Sequence, residues 1–193
     1  MTGWTKLSEF DVAYAPTKIT KWRSSRTGLQ LTYIAQALPI VNGYFAIATE
    51  TEDDLGAPHT LEHLVFMGLK KYPYKGLLDT IGNRLFSLTN AWTAVDQTVY
   101  TLQTAGWDGF KTLLPVYLDH LFEPTITDAA CKTEVYHIDG KGKERGVVFL
   151  EMQGIESQLW FILWLEMQRC LYRKDGGYSS KTGGVTLELR DRP

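Results

Sequence analysis

"GAPHTLEHLVFMG", residues 56–68, sets two histidines four apart with a glutamate directly before the second, at the start of an apolar run. Gly56-Ala57-Pro58 is a helix-start signal, because proline suits a first turn where its missing N–H leaves no bond unmade. Leu61, Leu64 and Val65 follow helical spacing, and Gly68 is the stop. His59, Glu62 and His63 are therefore expected in the first turns of a helix. Residues i and i+4 share a helix face, with Cβ atoms about 6 Å apart. Both imidazoles can then point a nitrogen at one ion about 2.0 to 2.1 Å from each. A hydrolytic zinc site needs two neutral nitrogen ligands, a third ligand, a position open to water and a nearby carboxylate to take the water's proton. Glu62 stands where that carboxylate belongs. The competing reading is two polar rings on an exposed face. Against it, Leu61, Leu64, Val65, Phe66 and Met67 would bury this helix, and a buried imidazole pair with no shared partner is costly.

A third ligand must come from elsewhere in the chain. "ERGVVFLEMQGIE", residues 144–156, places Glu144 and Glu151 seven apart, on one face of a helix expected to run from about 144 to 171 with Gly154 as its weak point. Val147, Val148 and Leu150 make that helix a core element, so a carboxylate on its inner side needs a partner. Zinc would be one, with Glu151 as ligand and Glu144 in support. An exposed acidic stripe is the alternative, and Glu134, His137 and Asp139 are rival third ligands. His120 reads as a residue that caps or packs a helix.

Around these motifs the chain reads as α+β. Residues 1–16 show no sustained period and are expected to form an arm. Strand-like runs follow at 18–24, 29–35 and 40–49, the first two joined by the turn-prone Ser25-Arg26-Thr27-Gly28. A short helix is expected over 75–86. "NAWTAVDQTVYTLQT", residues 90–104, predicts an antiparallel strand pair about Val95-Asp96-Gln97. Helical spacing resumes over 109–122, Asp139 to Lys143 is a loop, and Val185 to Leu189 begins another helix. The architecture implied is a mainly antiparallel sheet with helices packed on one face.

Composition narrows the function classes. A chain of 193 residues, 44% hydrophobic, can bury a core within one domain. The net charge of −2 comes with no clustered basic face, which argues against nucleic acid as a partner. Cys131 and Cys170 lack metal-type spacing and fit reduced thiols in an intracellular protein. The apolar run Leu159–Leu165 is far short of the roughly 20 residues that span a membrane. The expected location is cytoplasmic, with the mitochondrial matrix as the alternative.

His59-Thr-Leu-Glu62-His63 is the inverse of the His-Glu-x-x-His order of other zinc peptidases. Together with Asn90-Ala-Trp-Thr93 and Glu144-Arg-Gly-Val-Val-Phe-Leu-Glu151, in that order, it resembles the pitrilysin family of zinc metallopeptidases. "KKYPYKG" and "GGYSSKTGG" are most similar to its presequence-protease-like branch. The resemblance implies that His59, His63 and Glu151 bind zinc, that Glu62 is the general base, and that Glu144 supports the site. The 87 residues between His63 and Glu151 match the longer gaps of that branch. Asn90, Ala91, Trp92 and Thr93 would be a sheet edge that takes up an unfolded peptide as an added strand.

The expected activity is a zinc endopeptidase domain over residues 17–193, incomplete at its C-terminus and lacking the homologous domains or partner subunit that close the family's chamber. A catalytically incompetent fragment, or an assembly subunit of the same fold, is the rival. Zinc used only for structure is a weaker rival, because a structural site takes four protein ligands and no poised base.

Overall fold

Strand β1 (Trp4–Asp11), β2 (Lys18–Ser24) and β3 (Gln30–Ala35) form an antiparallel sheet in the order β1-β2-β3 in the computed structural model, which describes residues 3–191. The β2–β3 hairpin turns where the sequence predicts it. The arm expected over residues 1–16 instead contains β1. Its register on β2 shifts between Lys6 and Ser8, so one extra residue resets the face on which the side chains alternate. That irregularity hides the period of two from a reading of the sequence. The chain divides into two compact units at 39/40, and this sheet belongs to the first.

The second unit holds every candidate site residue. It begins with β4 (Ile40–Ala48), then α1 (Ala57–Leu64) and α2 (Leu77–Arg84). The hairpin of β5 (Ser87–Thr93) and β6 (Gln97–Ala105) leads into α3 (Trp107–Phe122). The sheet order is β4-β6-β5, all antiparallel, with β6 in the centre. α3 aligns Phe110, Leu113, Tyr117 and Leu121 at three- and four-residue spacing and packs them with Tyr100, Leu102, Val65 and Leu78. Side chains buried to this degree contribute about 1.5–3 kcal/mol each. The opposite sheet face exposes Tyr44, Leu88 and Trp92, so among the described residues the helices of this unit pack on one face, as expected.

After α4 (Asp128–Glu134), a two-residue ladder of β7 (His137–Ile138) and β8 (Glu144–Arg145) flanks the predicted loop. α5 (Val147–Glu156) and α6 (Leu159–Leu171) replace the single helix expected over 144–171. The break falls after Ser157, where Gln158 is extended, and not at Gly154. Phase explains it. Met152 and Phe161 both face the second core. Nine residues of continuous helix would set them about half a turn apart, so the chain must break between them. A single 3-10 turn (Gly177–Ser179) and α7 (Thr186–Asp191) follow, and Leu189 closes that core. Among the described residues no helix is long and apolar enough to cross a membrane.

Candidate active site

α1 starts at Gly56, whose backbone is left-handed at φ 75°, with Pro58 inside the first turn. A Cβ on Gly56 would lie 2.8 Å from the Gly183 carbonyl oxygen and the Gly184 Cα. Only glycine allows both the turn and this approach. The contact brings the 183–184 turn behind His59, where a Cβ on Gly183 would sit 3.7 Å from His59 Nδ1. His59 is buried, and Nδ1 has no hydrogen-bond partner among the described residues.

The two histidines present their Nε2 atoms 3.2 Å apart, and Glu151 on α5 brings Oε2 to 3.8 Å from His59 Nε2 and 3.7 Å from His63 Nε2. Four ligands at 2.0 to 2.1 Å from a tetrahedral zinc lie about 3.3 Å from one another. The triangle of two imidazole nitrogens and one carboxylate oxygen has that size, and its donor chemistry is that of zinc. The residues fit the ion. Burial, and then the neighbouring His59, lower the pKa of His63 against the opposing pull of Glu62, Glu151 and Glu134. The result favours the neutral ring that a metal ligand must be. Glu151 is 55% exposed at its side chain, so the cluster is open to solvent on that side.

Glu62 is half-buried beside His63, and its Oε2 accepts a 2.5 Å hydrogen bond from Thr93 Oγ1 at the end of β5. Strand alternation puts Ala91 and Thr93 on the helix side and Asn90 and Trp92 on the other. Trp92 is exposed and meets Tyr44 edge-on at 6.5 Å, so it is not core. Asn90 accepts the Ala91 N–H on its own side-chain oxygen at 3.0 Å. Among the described residues β5 pairs with β6 alone and is an edge strand of this sheet.

Glu144 is not on a helix and is not part of the cluster. It lies on β8, where Gly146 starts α5 only afterwards, and its carboxylate binds Arg190 at 2.7 Å and Tyr136 at 3.1 Å. The seven-residue spacing to Glu151 therefore does not place the two on one face. Asp139 is occupied by the backbone N–H groups of Lys141 and Lys143 and by Arg145. His137 Nδ1 lies 2.9 Å from the Lys132 carbonyl. His120 is a fully buried packing residue, its Nδ1 3.1 Å from the Val65 carbonyl. Glu134 lies near His63, but on the Nδ1 side at 3.9 Å. The sequence reading names Glu134 only as a rival ligand and does not anticipate its place on the Nδ1 side or the backing of His59 by Gly183, both of which depend on contacts distant along the chain. "GGYSSKTGG" was the one signal for the latter.

The chain is similar to known proteins over most of its length. A family described as Insulinase (Peptidase family M16) matches residues 47–154. An uncharacterized protein of Saccharomyces cerevisiae is 58% identical over 191 residues, 97% of this chain and 18% of that one. A mitochondrial presequence protease of Debaryomyces hansenii is 30% identical over 182 residues, 89% of this chain and 17% of that one. The crystal structure of pitrilysin superposes with a TM-score of 0.78 at 19% identity, covering 100% of this chain and 20% of that one. The chain thus spans about a fifth of the length of the proteins it matches.

Proposed function

The chain belongs to the insulinase family of peptidases, and on that premise we propose that it is the zinc-holding catalytic domain of an endopeptidase acting on unfolded peptides. The observation that carries this reading is the convergence of His59, His63 and Glu151, whose ligand atoms all lie within 4.8 Å of one another. His59, His63 and Glu151 would hold the zinc ion, which when bound would supply Lewis acidity for activating a water molecule and polarising a peptide carbonyl. Glu62, fixed by Thr93, accepts the proton from the attacking water and returns it to the leaving amine. The unpaired edge of β5 receives the peptide through backbone hydrogen bonds. Ala91 faces inward along that edge, while Asn90 and Trp92 contact the peptide from the outer side. Thr93 gives its hydroxyl to Glu62 and so acts through the base rather than on the peptide.

The rest of a longer protein, or a partner subunit, completes the peptide-enclosing chamber. A zinc-loaded chain inactive by itself is the second reading, favoured by the one-fifth coverage of its relatives. The likeness to a mitochondrial presequence protease supports the mitochondrial matrix beside the cytoplasm as a location, to be decided by fractionation.

The test is cleavage of a quenched peptide by the complete enzyme, with metal content measured in parallel. Glu62→Gln keeps about one zinc per chain and loses at least the 100-fold to 10,000-fold that a positioned proton acceptor supplies. Glu151→Gln and His63→Ala lose the metal. Zinc-free wild-type protein, or cleavage indifferent to a chelator, would reject the assignment.

A further inference from the structure

We propose that Glu134, tethered by Lys75, is a positioning residue that fixes the His63 imidazole for metal binding; this rests on the zinc reading above. Glu134 ends α4 with only 8% of its surface exposed. A carboxylate in that state needs partners. One oxygen, Oε1, takes a 2.9 Å hydrogen bond from Lys75 Nζ, in the loop ahead of α2. The other, Oε2, faces His63 Nδ1 at 3.9 Å. His63 therefore stands between two carboxylates, Glu151 toward Nε2 and Glu134 toward Nδ1.

Metal-binding imidazoles hold their second nitrogen as an N–H against a carboxylate or carbonyl, which fixes the tautomer and strengthens the coordinating nitrogen. Glu134 supplies that negative charge. At 3.9 Å it lies past hydrogen-bond range and acts on the ring through its charge. Lys75 has a second effect. By holding Oε1, it keeps Glu134 on the Nδ1 side of the ring and away from the coordinating side. A fourth protein ligand there would close the position that a hydrolytic site leaves to water. The "YPYKG" stretch thereby gains a role that its sequence does not announce.

The test reads zinc affinity on the full chain by competition with a fluorescent chelator, with His63→Ala as the non-binding reference. Glu134→Gln keeps the size and removes the charge. Its zinc affinity falls 10- to 100-fold, with the metal-free Tm and circular dichroism of wild type, and Glu134→Asp recovers part of the loss. Unchanged affinity in Glu134→Gln overturns the proposal. A measurement on wild type avoids any folding defect of the variants: long-range 1H–15N spectra of the zinc-loaded, histidine-labelled protein show His63 protonated at Nδ1 and coordinated through Nε2. Coordination through Nδ1 overturns the proposal while leaving the zinc reading intact. Failure of wild type to bind zinc at all removes the zinc reading first.

Discussion

At the scale of single residues, the hydrogen bond from Thr93 to Glu62 sets Thr93 apart from the other residues of the stretch to which the family resemblance gives one role. The family resemblance implies that Asn90, Ala91, Trp92 and Thr93 are all peptide contacts, but the hydroxyl of Thr93 is committed to Glu62, the proposed base. A hydrogen bond to a charged acceptor is worth about 1.5–3 kcal/mol, roughly tenfold or more in rate. Thr93→Val should therefore lower kcat of the complete enzyme by about that factor, leaving KM and zinc content unchanged, and Thr93→Ser should restore it. A raised KM at constant kcat would return Thr93 to the peptide-binding edge. Helical spacing made the histidine pair legible because i and i+4 is a local rule. The Lys75–Glu134 pair, 59 residues apart, obeys no local rule and was out of reach.

At the scale of elements, the entry to α5 decides where Glu151 points. Gly146 has φ 123°, and a Cβ there would fall 2.2 Å from the Val135 carbonyl oxygen. Gly146→Ala should cost at least the 1–3 kcal/mol of a strained backbone, read as a lower urea midpoint, and should weaken zinc binding by displacing Glu151. A midpoint equal to wild type would show that the crossing can relax. The adjoining β7–β8 loop gives a pH prediction. Backbone N–H donation from Lys143, then Arg145 and the Lys141 N–H, lowers the Asp139 pKa below its ordinary 3.8. Its contribution to stability is therefore complete above the unfolded value and is lost as pH falls through the lower folded one. A carboxyl titration by NMR should give a midpoint under 3.8, and a value at or above it would contradict the loop geometry. The loop was legible from its Asp-Gly-Lys-Gly-Lys composition. The break between α5 and α6 was not, because apolar residues run through it, and only the shared core shows that one helix cannot serve both sides.

At the scale of the second unit, the candidate ligands come from elements that serve different cores. α1 runs into the sheet core through Val65, whereas α5 supplies Val148, Phe149 and Met152 to the core it shares with α6 and α7. An ion held by His59, His63 and Glu151 would cross-link the two. A ligand that binds only the folded state stabilises it by about 2.7 kcal/mol at a free concentration of 100 Kd. For a chain of this size that corresponds to a Tm increase of roughly 5–10 °C. Zinc should raise Tm by this amount, a chelator should reverse it, and Glu151→Gln should abolish the increase while its metal-free Tm stays near wild type, because the Glu151 side chain is mostly exposed. Hydrogen exchange locates the effect: zinc should slow the amides of Leu102 and Leu113 in one core and of Val148 and Phe149 in the other together. Protection confined to α1 would mean that the histidines hold the ion without Glu151, and the cross-link between the cores would not exist.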